Sequence, residues 1–228
     1  VGYDDRETKL EGKIIGSFES KELMNLGKDF TELGLDSLLE DGIIKEIPIL
    51  RTIVAICKIH MNIRDRLFLK KVVGFLAQIA DTNETQREEF VNENCKDKKN
   101  FEETVLLILE HADRFEKTAL IGKIFKACIL KKILYADAIT LSEMVNKVFW
   151  NDLKTLIELD RCQEEENQRL YFSGLLEMKI KVGRRMAGGD AHIEYQKNIY
   201  AVALKEIYQE NYENLGRCSI GMRALKST

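Results

Sequence analysis

Four groups of residues in this 228-residue chain carry spacing that could do chemistry. In His192-x-Glu194, alternation along a strand puts both side chains on one side, where a carboxylate can orient an imidazole. No nucleophile or second base accompanies them. Ser173-Gly174 lacks the G-x-S-x-G elbow, and no Walker A motif occurs. The glycines between Gly183 and Gly189 do not make a dinucleotide fingerprint between a strand and a helix. None of His60, His111 and His192 lies one helical turn from another histidine or beside a cysteine cluster, so no zinc site is expected. Cys57, Cys95, Cys128, Cys162 and Cys218 are odd in number, widely spaced and without a C-x-x-C pair. They read as reduced thiols, with Cys57 and Cys128 as small core residues. The expectation is a protein that is not an enzyme and has no metal, cofactor or small-molecule substrate.

The second group is basic and apolar. Residues 45–75 hold Lys45, Arg51, Lys58, Arg64, Arg66, Lys70 and Lys71 against Glu46 and Asp65, in a chain of net charge −3. One reading is contact with an anionic membrane face or an acidic partner groove, centred on Arg64, Arg66, Lys70 and Lys71. The other is a core helix pair whose long stems run out to solvent, matched by the acid-rich segment 84–116. The third group is Lys179, Lys181, Arg184, Arg185 and Lys197, which could follow a phosphate backbone. Against that, no upstream helix presents a groove-reading face, and Glu164, Glu165 and Glu166 lie near in sequence. The fourth group, Phe149, Trp150, Tyr171 and Phe172, is expected to fill a seam between a helical body and a C-terminal module.

The elements that position these groups follow from composition and periodicity. Apolar residues make up 45%, which excludes wholesale disorder, and 35 basic against 38 acidic residues exclude a uniformly basic nucleic-acid coat. One proline and 14 glycines argue against a many-stranded β-sandwich. The first residues lack a secretory-signal pattern and no window reads as a spanning helix, so the cytoplasm is the expected location. Residues 1–19 read as a loose arm with a short strand at Ile14-Ile15, and 20–159 as a helical domain. Its first helix runs from Leu23 to Leu39 at three- and four-residue steps and stops at Gly42. Pro48 opens the next, whose apolar residues to Ile59 fill nearly every side, as in the central helix of a bundle. Capping boxes are read at Thr85-x-x-Glu88, Asn100-x-x-Glu103 and Thr140-x-x-Glu143, with a solvated loop from Cys95 to Asn100. Residues 160–228 form a small α+β module. Alternation places a β-hairpin at about 177–196, followed by a closing helix from Ile199 and a frayed tail.

Two resemblances arise from these residues. Ala80-Asp81 followed by Thr85-x-x-Glu88 is echoed about 55 residues later by Ala136-Asp137 followed by Thr140-x-x-Glu143. This resembles the TerB-like helical proteins of bacterial stress and defence systems over residues 67–150. It implies helical hairpins joined by an acidic loop. Thr82 and Ala138 stand where that family usually has glycine, so no metal is carried over. The step Ser173-Gly174-Leu175-Leu176, the Gly-rich hairpin tip and the closing helix resemble a winged-helix end over residues 141–214. That implies a module for nucleic acid, protein contact or packing.

The resulting expectation is a mainly α protein, a bundle-like or orthogonal helical body with a winged-helix-like C-terminal hairpin module. It is a non-enzymatic, cytosolic, bacterial-type protein acting through contact with a protein partner or a second copy, within stress or phage defence. The alternatives are a membrane-acting helical effector and a winged-helix nucleic-acid binder.

Overall fold

Helix-period patterns dominate the chain, and the computed structural model is accordingly mainly helical with one small antiparallel hairpin. It describes residues 10, 12–26, 42–57, 63–158, 164–182 and 191–215. Two compact units are present, Val1–Lys131 and Lys132–Thr228.

In the first unit the helices are α1 (Lys13–Phe18), α2 (Gly42–Glu46), α3 (Pro48–Cys57), α4 (Ile63–Ile79), α5 (Glu84–Asn94), α6 (Lys98–His111) and α7 (Phe115–Ile129), with a 3-10 turn at Lys21–Asn25. The centre is the α4–α7 pair rather than α3. Residues Val72 to Ile79 of α4 are all buried. Two glycines let the pair close up. A Cβ at Gly74 would lie 2.5 Å from the Phe115 ring, and one at Gly122 would lie 2.6 Å from the Phe75 carbonyl oxygen. On α3, Ile49, Leu50, Ile53 and Val54 are buried while Arg51 and Ala55 are exposed. That helix is therefore one-sided, not the enclosed rod its composition suggested. Its sequel Lys58-Ile59 lies outside the described residues.

The expected loose arm is instead part of the core from residue 12 onward. Phe18 is fully buried and meets Phe75, Phe90 and Phe101 at 6.1, 5.7 and 6.0 Å between ring centres. Opposite charges hold the two ends of α1. The buried Glu102 carboxylate accepts from the Gly12 and Ile15 backbone N–H groups, the latter at 3.0 Å. The buried Arg87 guanidinium donates to Phe18 O at 2.7 Å, to Ser20 O at 3.1 Å and to Thr82 O. Acid at the N-terminus and cation at the C-terminus both suit the helix dipole. Ile14 and Ile15 are thus helical rather than a strand. Of the helix expected over Leu23–Leu39, only the 3-10 turn is described, and Gly42 opens α2 instead of ending a helix.

The helix joints also differ from the sequence reading. Asn83, not Thr85, caps α5, accepting from Thr85 N at 3.0 Å while Gln86 accepts from Asn83 N at 3.1 Å. Asp97, not Asn100, caps α6, accepting from Asn100 N at 3.1 Å. Cys95 is buried rather than part of a solvated loop.

In the second unit, α8 (Tyr135–Lys147), α9 (Trp150–Glu158) and α10 (Glu164–Phe172) precede β1 (Leu176–Val182), β2 (Ala191–Lys197), α11 (Ile199–Tyr208) and α12 (Tyr212–Leu215). Thr140 lies inside α8, its hydroxyl donating to Ala136 O at 2.9 Å. Ala80-Asp81 thus follows a helix end, whereas Ala136-Asp137 occupies a helix start, and the two similar stretches build different joints. The strands pair in the register Met178↔Tyr195, Lys179↔Glu194 and Ile180↔Ile193. Gly174, at φ +85°, closes α10 where a side chain would be strained, and Leu175 N donates to Leu170 O at 3.1 Å. Asn198 caps α11 on the Tyr200 and Ala201 N–H groups.

The contacts also place the domain boundary at 131/132 rather than 159/160. The physical reason is that α9 is tied to α10, β2 and α11. Arg169 pairs with Asp152, Lys197 Nζ donates to Leu156 O at 2.7 Å, and Tyr208 OH donates to Glu158 at 3.2 Å. Among the described residues no helix is long and apolar enough to cross a membrane.

Candidate interaction surface

A hairpin with period-2 alternation must send alternate side chains to opposite faces. On one face here stand Leu176, Met178 and Ile180, opposite Lys197, Tyr195 and Ile193. Leu176 is buried at the base, but exposure rises along the strand to 62% at Ile180, and Ile193 opposite it is 49% exposed. The apolar face therefore starts in the core and runs out of it. The other face carries Glu177 and Lys179 opposite Gln196 and Glu194, and there Lys179 Nζ donates to Gln196 Oε1 at 2.6 Å.

The apolar face continues onto α10. The Tyr171 ring lies 6.0 Å from Tyr195 and 5.6 Å from Phe172, and Phe172 is 83% exposed. One turn earlier on α10, the Arg169 guanidinium sits 5.8 Å from the ring of Phe149, itself 67% exposed. Arg169 is held by two hydrogen bonds to the buried Asp152 carboxylate, at 2.5 and 2.9 Å. That pairing, with Glu165 and Glu166 close by, raises the Arg169 pKa above its ordinary value. Glu164, Glu165 and Glu166 form the first turn of α10. The result is a run of exposed aromatic and aliphatic side chains with an acidic edge. Contiguous apolar surface of this kind is uncommon on monomers and marks contact sites. The expectation that Phe149 and Phe172 fill a buried seam is overturned, since both rings face outward.

Among the described residues, the basic side chains singled out by charge have different surroundings. Arg64 and Arg66 are exposed on the first turn of α4. Lys70 instead lies 5.0 Å over the Phe115 ring, and Lys71 donates to Glu110 O at 2.9 Å. Burial lowers the Lys71 pKa, Glu110 and Asp113 oppose that shift, and Arg64 adds to it. Lys70 and Lys71 are thus matched within the first unit. On the hairpin, Lys179 bonds to Gln196 and Lys197 to Leu156 O. Arg184 and Arg185, and the side chains of Lys181 and His192, lie outside the described residues. Among the described residues no three His, Cys, Asp or Glu side chains converge as a metal site requires.

Compared with protein-family models, curated proteins and solved structures, the chain matches none.

Sequence reasoning missed two of the three acceptors of Arg87, Phe18 O and Ser20 O, and the donors to Glu102, which lie 67 to 90 residues away along the chain. It also missed that the apolar face of the hairpin is uncovered beyond Leu176. The alternation of Met178 and Ile180 was the available signal, but period alone does not say which face a neighbour covers.

Proposed function

We propose that this chain is a binding protein that acts by contact, holding another protein against Phe149, Phe172, Met178, Ile180 and Ile193. The observation that carries this reading is the apolar hairpin face that leaves the core and joins exposed aromatic rings on α10. Burying such side chains yields roughly 25 cal/mol per Å² of apolar area, and aromatic residues are typical anchors of protein interfaces. No reaction of its own is assigned to the chain. A cytoplasmic, bacterial setting in stress or phage defence is supported only by the resemblance of the Ala-Asp stretches, and belongs to the proposal on that footing.

The test is site-specific photo-cross-linking in native extract. A photoreactive residue replaces Phe172 or Ile180 in one pair of variants, and Leu107, an exposed residue of the first unit, in a control. The reading predicts a discrete protein adduct from 172 and 180 that is missing from 107. Equal adducts from all three positions, or none, would defeat it.

A further inference from the structure

Resting on that contact reading, we propose that the occupant of this surface is a basic, amphipathic polypeptide segment, with apolar side chains on one face and lysine or arginine beside them. The apolar half of the match is the exposed run from Phe149 through Phe172 to Ile180 and Ile193.

The basic half follows from the charges around that run. Glu164, Glu165 and Glu166 stand together at the head of α10, and Glu164 and Glu165 are exposed. The negative charges of the exposed Glu164 and Glu165 outweigh the roughly half positive charge that a helix N-terminus supplies. The cation within the run, Arg169, is neutralised by Asp152 through two hydrogen bonds. Lys179 is on the opposite face of the hairpin, across from Glu194 and bonded to Gln196. Lys197 is turned to the C-terminal end of α9, onto Leu156 O. Among the described residues, the α10 end of the surface is therefore apolar with a negative edge. Lysine and arginine on an incoming segment meet favourable charge there, while their stems and guanidinium planes can lie over exposed rings. An acidic segment meets repulsion, so the edge selects as well as attracts.

The chain supplies its own probe. Trp150 is its single tryptophan and adjoins Phe149 at the start of α9. The full chain is titrated, with Trp150 fluorescence as the readout, against two synthetic peptides with leucine at three- and four-residue spacing. One has lysine at the remaining positions and the other glutamate. The proposal predicts saturable binding of the lysine peptide, at least about tenfold tighter than the glutamate peptide, and weakening as salt rises. Phe172→Ser with Ile180→Ser abolishes that binding. Glu164→Lys with Glu165→Lys reverses the preference. The same charge change at Glu103→Lys with Glu116→Lys, on exposed residues of the first unit, leaves it unaltered.

Several outcomes overturn the proposal. One is equal binding of both peptides that still depends on Phe172, which removes the charge preference and leaves the contact reading standing. Another is lysine-peptide binding that the first-unit reversal weakens as much as the α10 reversal. The proposal also fails if no lysine-peptide binding is seen. A mass that rises with concentration and falls back in Phe172→Ser would assign the surface to a second copy. Absence of the cross-links at 172 and 180, or equal cross-linking at 107, is a separate result that defeats the contact reading itself.

Discussion

In the first unit Phe18, Phe75, Phe90, Phe101 and Phe125 are buried and touch ring to ring, whereas in the second Phe149 and Phe172 stand exposed. The same side chain is put to opposite uses, and the charges around it differ in the same way. In the first unit even ionised groups are drawn inside, each with partners in place. Arg87 spans three carbonyl oxygens, Glu102 takes two N–H groups, and buried Lys117 pairs with Asp113 at 2.8 Å. In the second, the charges at the head of α10 remain at the surface beside uncovered apolar residues. Buried polar groups are tolerated when fully bonded, and they fix one arrangement. Exposed apolar groups contribute little to that arrangement, so their energy remains available to a partner.

The largest effect that would break this contrast lies at Arg87. Arg87→Met leaves the carbonyls of Phe18, Ser20 and Thr82 without their donor and should lower stability by about 3 kcal/mol or more in urea unfolding. Arg87→Lys, with fewer donors and no fork, should recover only part of it. A near-neutral Arg87→Met would mean that α1 is not clasped. Next comes Gly122→Ala. Its Cβ would meet the Phe75 carbonyl oxygen at 2.6 Å, and forcing α4 from α7 should lower stability by about 1–3 kcal/mol. An unchanged unfolding midpoint would refute the close helix approach.

A smaller effect is read from pH. Burial, aided by Glu102 and Glu19, pushes the Cys95 thiol up to about 12 from an ordinary 9.0. Above pH 9.0 the unfolded thiol loses its proton while the folded one keeps it, so the unfolded state binds fewer protons. Stability then falls with rising pH, by at most about 1.4 kcal/mol per pH unit, across the window from 9.0 to about 12. Cys95→Ala should flatten that part of the curve. Lys71, Lys131 and Tyr208 have shifted pKa values and titrate alike in both proteins, so the difference between the two curves reports Cys95. Parallel curves would place the thiol in water.

Much of the architecture was legible because it rests on local periodicity. Pro48 does open a helix, and alternation around Met178 and Ile193 does make the hairpin. Cap positions were less legible because neighbouring polar residues compete. Asn83 takes the Thr85 N–H before Thr85 can act as the cap. Helix α1 was unreadable from its own six residues, which follow Gly12 and include Gly16 and Ser17. Its stability comes from Arg87, Glu102 and the Phe18 contacts, all distant in sequence. The interaction surface was half legible. The aromatic residues were conspicuous, but whether a ring is covered depends on packing that no spacing rule encodes.

The contrast between the two units is tested most directly by one matched measurement, the change in unfolding free energy for Phe90→Ala and for Phe172→Ala. Circular dichroism tracks the first variant and Trp150 fluorescence the second, because the two units need not unfold together. The account predicts a loss of about 3–5 kcal/mol at Phe90 and a change within about 0.5 kcal/mol at Phe172. A loss of several kcal/mol at Phe172 would show that ring to be part of a core, and the surface assigned to a partner would not exist.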